Sequence, residues 1–72
     1  MCVEPNQDYT TTISTTNIND VSVRVGGNLV AVSVVENDNG TFTITIAAQY
    51  VQCPGPILIV GPGVNETIEV CC

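Results

Sequence analysis

Between Val21 and Ala48 the chain reads VSVRVGGNLVAVSVVENDNGTFTITIAA. Valine, isoleucine and threonine alternate along it, and it is interrupted only at Gly26-Gly27 and around Asp38-Asn39-Gly40. β-Branched side chains are stiff at χ1 and suit a pleated, half-buried surface. Glycine or Asn-Gly between two such runs marks a hairpin. This stretch therefore commits the chain to short antiparallel strands, and no apolar period of 3.6 residues competes with that reading.

Register follows from turn length. With Gly26-Gly27 as a two-residue loop, Val25 faces Asn28, Val23 faces Val30 and Val21 faces Val32. With the three-residue loop Asp38-Asn39-Gly40, Asn37 faces Thr41, Val34 faces Ile44 and Val32 faces Ile46. A two-residue Asn39-Gly40 loop would set Val34 against Thr45 and lose the apolar match, so the longer loop is expected, with Gly40 left-handed.

The remaining elements are read from local pattern. Tyr9–Thr15 is an expected polar strand with Tyr9, Thr11 and Ile13 on one face. Cys53-Pro54-Gly55-Pro56 and Gly61-Pro62-Gly63 are expected turns. Between them, Ile57–Val60 is expected as a short strand buried on both faces or pairing at an edge. Thr67–Cys72 is the expected last strand, with Ile68, Val70 and Cys72 inward and Glu69 and Cys71 outward. The fold class is thus all-β: a small antiparallel β-sandwich or small barrel of about six short strands. Residues 1–16 are expected as an extended N-terminal arm or edge strand, and residues 17–72 as a single β-sandwich domain.

The stretch GGNLVAVSVVENDNGTFTITIAA resembles the hairpins of bacterial and viral immunoglobulin-like sandwich modules. In these a valine-alternating strand is followed by a strand reading D-x-G-T-F-T-(I/V)-T-I. The matching residues are Val23, Val25, Gly26, Asp38, Gly40, Thr41, Phe42, Thr43, Ile44 and Ile46. The resemblance implies a truncated immunoglobulin-like sandwich, since 72 residues fall short of the ~100 of a full domain and no Trp is present. It also implies an accessory role in an assembly such as a phage virion.

Composition narrows the function. Hydrophobic residues make up 44% of the chain and charged residues 11%, which excludes a disordered chain. Seven acidic residues oppose one basic residue, Arg24, for a net charge of −6. Phosphate-backbone recognition needs clustered Lys and Arg, so nucleic acid is excluded as a partner, and anionic membranes are disfavoured. The longest aliphatic run, Ile57–Val60, is far short of a membrane span. The opening MCVEPNQDY has neither the basic nor the apolar segment of a secretory signal, so cytoplasmic synthesis is expected.

Catalytic groups are scarce. The chain has no His and no Lys, which removes the commonest general base and the Schiff-base amine. Glu36 and Asp38 sit in a turn, where acidic and amide side chains bond local backbone. Glu36, Asn37, Asp38 and Asn39 offer oxygen ligands, with Glu66 a further donor, but lack the spacing of an EF-hand loop. No enzyme activity, metal or cofactor is expected. The sequons Asn39-Gly40-Thr41 and Asn65-Glu66-Thr67 read as loop composition.

Four cysteines remain: Cys2, Cys53, Cys71 and Cys72. Adjacent residues on a strand point to opposite faces, so Cys71 and Cys72 do not readily share one zinc ion. A reactive thiol needs a neighbouring base or cation, and only Arg24 is available. Four cysteines allow three pairings. A vicinal bond is strained, which leaves Cys2 and Cys53 each to take one of the C-terminal pair, in either order. A bridge from Cys71 to a neighbouring subunit, and four free thiols with Cys72 a small buried hydrophobe, stay open. Disulfides without an export signal point to a particle maturing outside the reducing cytosol, such as a virion. The expected function is a non-enzymatic structural subunit of an extracellular assembly, a phage capsid-decoration or tail protein. Its expected partner is protein, through self-association or docking on a larger assembly. An acidic binding module, adhesin-like or an inhibitor docking on a basic partner, is the alternative.

Overall fold

The alternation and turn chemistry resolve into eight strands in a computed structural model, which describes residues 2–53 and 55–72. They are β1 (Cys2–Val3), β2 (Tyr9–Ser14), β3 (Ser22–Val25), β4 (Asn28–Leu29), β5 (Val32–Glu36), β6 (Thr41–Ile46), β7 (Ile57–Gly61) and β8 (Val64–Val70). Two short 3₁₀ turns, Ile18–Asp20 and Ala48–Tyr50, complete the described elements. One sheet has the order β1-β8-β7-β3-β4 and the other β2-β6-β5. The all-β class holds, as two sheets of five and three strands.

The second hairpin forms in the expected register. Val32 pairs with Ile46 and Val34 with Ile44. Asn37 N donates to Thr41 O at 2.8 Å, closing the three-residue loop, and Gly40 is left-handed at φ +81°. The loop is braced by Asn37 Nδ2, which donates to Thr41 Oγ1 and to Thr43 Oγ1, each at 3.0 Å.

The first hairpin starts as expected and then departs. Val25 pairs with Asn28 across Gly26-Gly27, and Val30 N still donates to Val23 O at 3.1 Å. Beyond Val30 the pairing stops. The single strand expected over Leu29–Val35 is two strands, β4 in the larger sheet and β5 in the smaller. Val21 therefore does not face Val32, whose partner is Ile46. The physical reason is that β6 offers Val32 and Val34 a run of isoleucine partners, Ile46 and Ile44, whereas β3 begins only at Ser22 and has no strand residue left to pair with Val32.

The core lies between the sheets. Ile13, Val23, Val25, Ile44, Ile46, Val51, Ile57, Ile59 and Val70 are buried. They occupy alternate positions of β2, β3, β6, β7 and β8, joined by Val51 after the second 3₁₀ turn. Tyr9, Thr11 and Ile13 share a face as expected, opposite Ile46, Ile44 and Phe42. Strand β7 is neither an edge nor buried on both faces. It lies between β3 and β8, burying Ile57 and Ile59 while Val60 is exposed.

Residues 2–14 are knitted into their own chain. Strand β1 pairs in parallel with β8, and β2 forms an edge of the smaller sheet. The last strand spans Val64–Val70 rather than Thr67–Cys72, so the expected alternation does not reach the terminal cysteines. Cys71 is half-buried and Cys72 exposed. The turn expected at Cys53–Pro56 includes Pro54, which lies outside the described residues.

Gly61 marks the closest backbone approach. A Cβ there would lie 2.5 Å from Val21 Cγ2 and 3.0 Å from Val21 Cα. The second neighbour is backbone and cannot swing away. Gly61→Ala is therefore expected to destabilise the fold by about 1–3 kcal/mol, as overpacked sites do. Chemical denaturation of the variant checks this; a loss below about 0.5 kcal/mol, typical of neutral sites, would contradict the packing described.

Candidate functional site

Two features stand apart from the packed sandwich: a cysteine clamp at the end of β8 and an apolar flank along β4 and β5.

The clamp follows from strand geometry. Cys2 lies beside Glu69 and Val3 beside Val70 in the parallel pair. Side chains alternate along a strand, so Cys2, Glu69 and Cys71 project to the same side. Cys71 N continues the pairing by donating to Val3 O at 2.8 Å. Cys2 and Cys71 are thereby adjacent, with Cα atoms 5.1 Å apart, and form a disulfide. Cys72 turns the other way and bonds Cys53, with Cα atoms 5.8 Å apart. All four cysteines are paired. Of the two open pairings, the structure has Cys2–Cys71 and Cys53–Cys72. Cys71 holds the N-terminal segment and Cys72 holds the loop after Val51. The expected inward placement of Cys72 is corrected, because the strand ends at Val70, before the cysteines.

The flank was not anticipated. Among the described residues, the exposed large hydrophobics are Leu29, Val34, Val35 and Val60. Three of these four belong to the sheet-switching segment Leu29–Val35, which carries no charge. Leu29 is 66% exposed and Val35 61% exposed. Both β4 and β5 end their sheets, so this side of the sandwich also presents unpaired strand edges. The signal was present in the sequence: the run LVAVSVV is too apolar for two faces unless one meets a partner.

The polar candidates serve local structure. Asn39 Oδ1 accepts from Thr41 Oγ1 at 2.6 Å, and Asn37 is engaged by Thr41 and Thr43. Asn37 Oδ1 also accepts from Thr43 Oγ1 at 3.3 Å, so the Asn37 and Asn39 oxygens of the oxygen-rich turn brace the hairpin. Asp8 Oδ1 accepts from Ala48 N at 2.8 Å, and Asp20 Oδ2 accepts from Asn17 Nδ2 at 3.1 Å. Glu36 and Asp38 lie at the β5–β6 hairpin, while Glu66 and Glu69 lie on β8. Glu66 and the Glu36–Asn39 turn are therefore on different sheets. No group of three or more His, Cys, Asp or Glu suited to a metal ion occurs among the described residues. Arg24, on the outer face of β3, donates from Nη1 to Gly27 O at 3.4 Å. No described helix is long and apolar enough to cross a membrane.

Fold and clamp together define a small, all-β, disulfide-stapled two-sheet domain with one apolar flank. Comparison with protein-family models, curated proteins and solved structures finds no significant match to it.

Proposed function

We propose that the chain is a non-enzymatic structural subunit of an extracellular assembly, of the kind that decorates a phage capsid or builds its tail. The observation that carries this reading is the uncharged flank where Leu29, Val34 and Val35 stand exposed beside open strand edges. Exposed aliphatic side chains beside open strand edges on so small a domain fit burial against another protein. The two disulfides support an oxidising destination, because such bonds are rare in a reducing cytosol.

The strand order supports the immunoglobulin-like reading. In that fold one sheet holds strands B, E and D and the other G, F and C. The orders β2-β6-β5 and β8-β7-β3 follow the same scheme when β2 is taken as B, β4 as the added strand C′ beside C, and the other strands are lettered along the chain. Catalysis has little to draw on, since the chain supplies neither His nor Lys.

The test is to fractionate the source culture by sedimentation and quantify the chain by mass spectrometry. The proposal expects it in an extracellular particle at a fixed ratio to the other components. Recovery only as a free, cytosolic chain would overturn it.

A further inference from the structure

We propose that β5 is the site of self-association: two copies pair their β5 strands antiparallel about Val34, joining the three-stranded sheets into one of six strands. This rests on the subunit reading above and names the partner as a second copy of the chain.

The backbone sets the register. Asn37 N donates to Thr41 O, so the Asn37–Thr41 pair is hydrogen-bonded. Bonded and non-bonded pairs alternate along an antiparallel ladder. The pairs Val35–Thr43 and Ser33–Thr45 are then bonded to β6. The N–H and C=O groups of Val32, Val34 and Glu36 point away from β6, to the open side. An antiparallel copy centred on Val34 sets Val34 against Val34 and Val32 against Glu36. All three outward residues then find partners in each chain. This is an isologous contact closed by a two-fold axis.

Charge selects the same arrangement. Glu36 is the one charged residue of β5. Centring on Val34 separates the two Glu36 side chains by four strand positions, about 13 Å at the usual rise. That exceeds the screening length of roughly 8–10 Å in physiological salt. Parallel pairing in register would place the two carboxylates side by side. A basic peptide finds little to recruit it here, because Leu29–Val35 is uncharged. The other edges are less suited. Strands β1 and β4 have two residues each, and the open side of β2 presents Thr10, Thr12 and Ser14. Natural edges are blunted by Lys, Pro, bulges or shortness, and five-residue β5 has none of these.

Sedimentation equilibrium of the oxidised full chain, from about 10 μM to about 1 mM, is the test, a range suited to a small interface. Wild type is expected to pass from monomer to dimer and stop there. Two variants at Val34 separate edge pairing from folding. Val34→Pro removes an N–H that the internal ladder does not use. Val34→Glu sets two carboxylates against each other on the two-fold axis while keeping the exposed site polar-compatible. Each is expected to raise the dissociation constant at least about tenfold, equivalent to about 1.4 kcal/mol. Far-ultraviolet dichroism of Val34→Glu is expected to match wild type. Wild type that stays monomeric at about 1 mM, or a folded Val34→Glu that dimerises as tightly as wild type, would overturn the proposal. Such a result leaves the chain's place in a particle untouched, since sedimentation of the source culture reads that separately.

Discussion

Full reduction is expected to unfold the protein at room temperature. The Cys2–Cys71 bond closes a loop over 69 positions and Cys53–Cys72 one over 19. On the chain-entropy relation these constrain the unfolded state by about 4 and about 3 kcal/mol. The loops overlap, so the joint effect is smaller than the sum. A domain of this size carries roughly 4–11 kcal/mol of stability in total. Few buried residues are available to compensate, since the core has nine members among the described residues. Cys2→Ser with Cys71→Ser removes the longer staple alone, with an expected loss of about 4 kcal/mol. It also releases β1, whose two residues have only β8 as a partner. Denaturant midpoints of oxidised, singly stapled and reduced protein check the order. A reduced chain as stable as the oxidised one would show that the sandwich does not depend on its clamp.

The second large effect is expected at Ile44. It is fully buried on β6, the middle strand of the smaller sheet, with Thr11 on one side and Val34 on the other. Ile44→Ala removes apolar volume where neighbouring strands restrict collapse. The expected loss is about 3 kcal/mol, within the range for buried aliphatic truncations. At this chain length that lowers the melting temperature by about 12–24 °C. Val35→Ala is the control. Val35 sits one strand away with 61% of its surface exposed, and its truncation is expected to fall within about 0.5 kcal/mol of wild type. Equal effects at the two sites would contradict the placement of the core between the sheets.

What could be read from sequence had a local cause. The β5–β6 register was legible because Asp38-Asn39-Gly40 fixes loop length and only one loop length keeps valine opposite isoleucine. The face of β2 was legible from alternation. The sheet switch was not, because Leu29-Val30-Ala31-Val32 contains no glycine, proline or charge to mark it. That break is decided by which strand, β3 or β6, has partners to offer beyond Val30. Strand β1 was invisible for a related reason: two residues carry no period, and their parallel pairing depends on a segment at the far end of the chain. The cysteines were half legible. Geometry argued against a vicinal bond and assigned one C-terminal cysteine to each of Cys2 and Cys53. Their order depends on where β8 ends, and it ends at Val70, two residues before the expected Cys72. The apolar flank was hidden by the same error as the sheet switch, since a single strand over Leu29–Val35 would have buried part of it.

The measurement that bears most directly on the stapled-domain account is non-reducing mass spectrometry of the chain recovered from its source without reductant, after alkylation of free thiols. No protease divides Cys71 from Cys72 cleanly, so the linkage is read from fragment ions that break between them. The account predicts no alkylated cysteine, with Cys2 joined to Cys71 and Cys53 joined to Cys72. Alkylation at all four cysteines, or a bond joining Cys71 to Cys72, would contradict it.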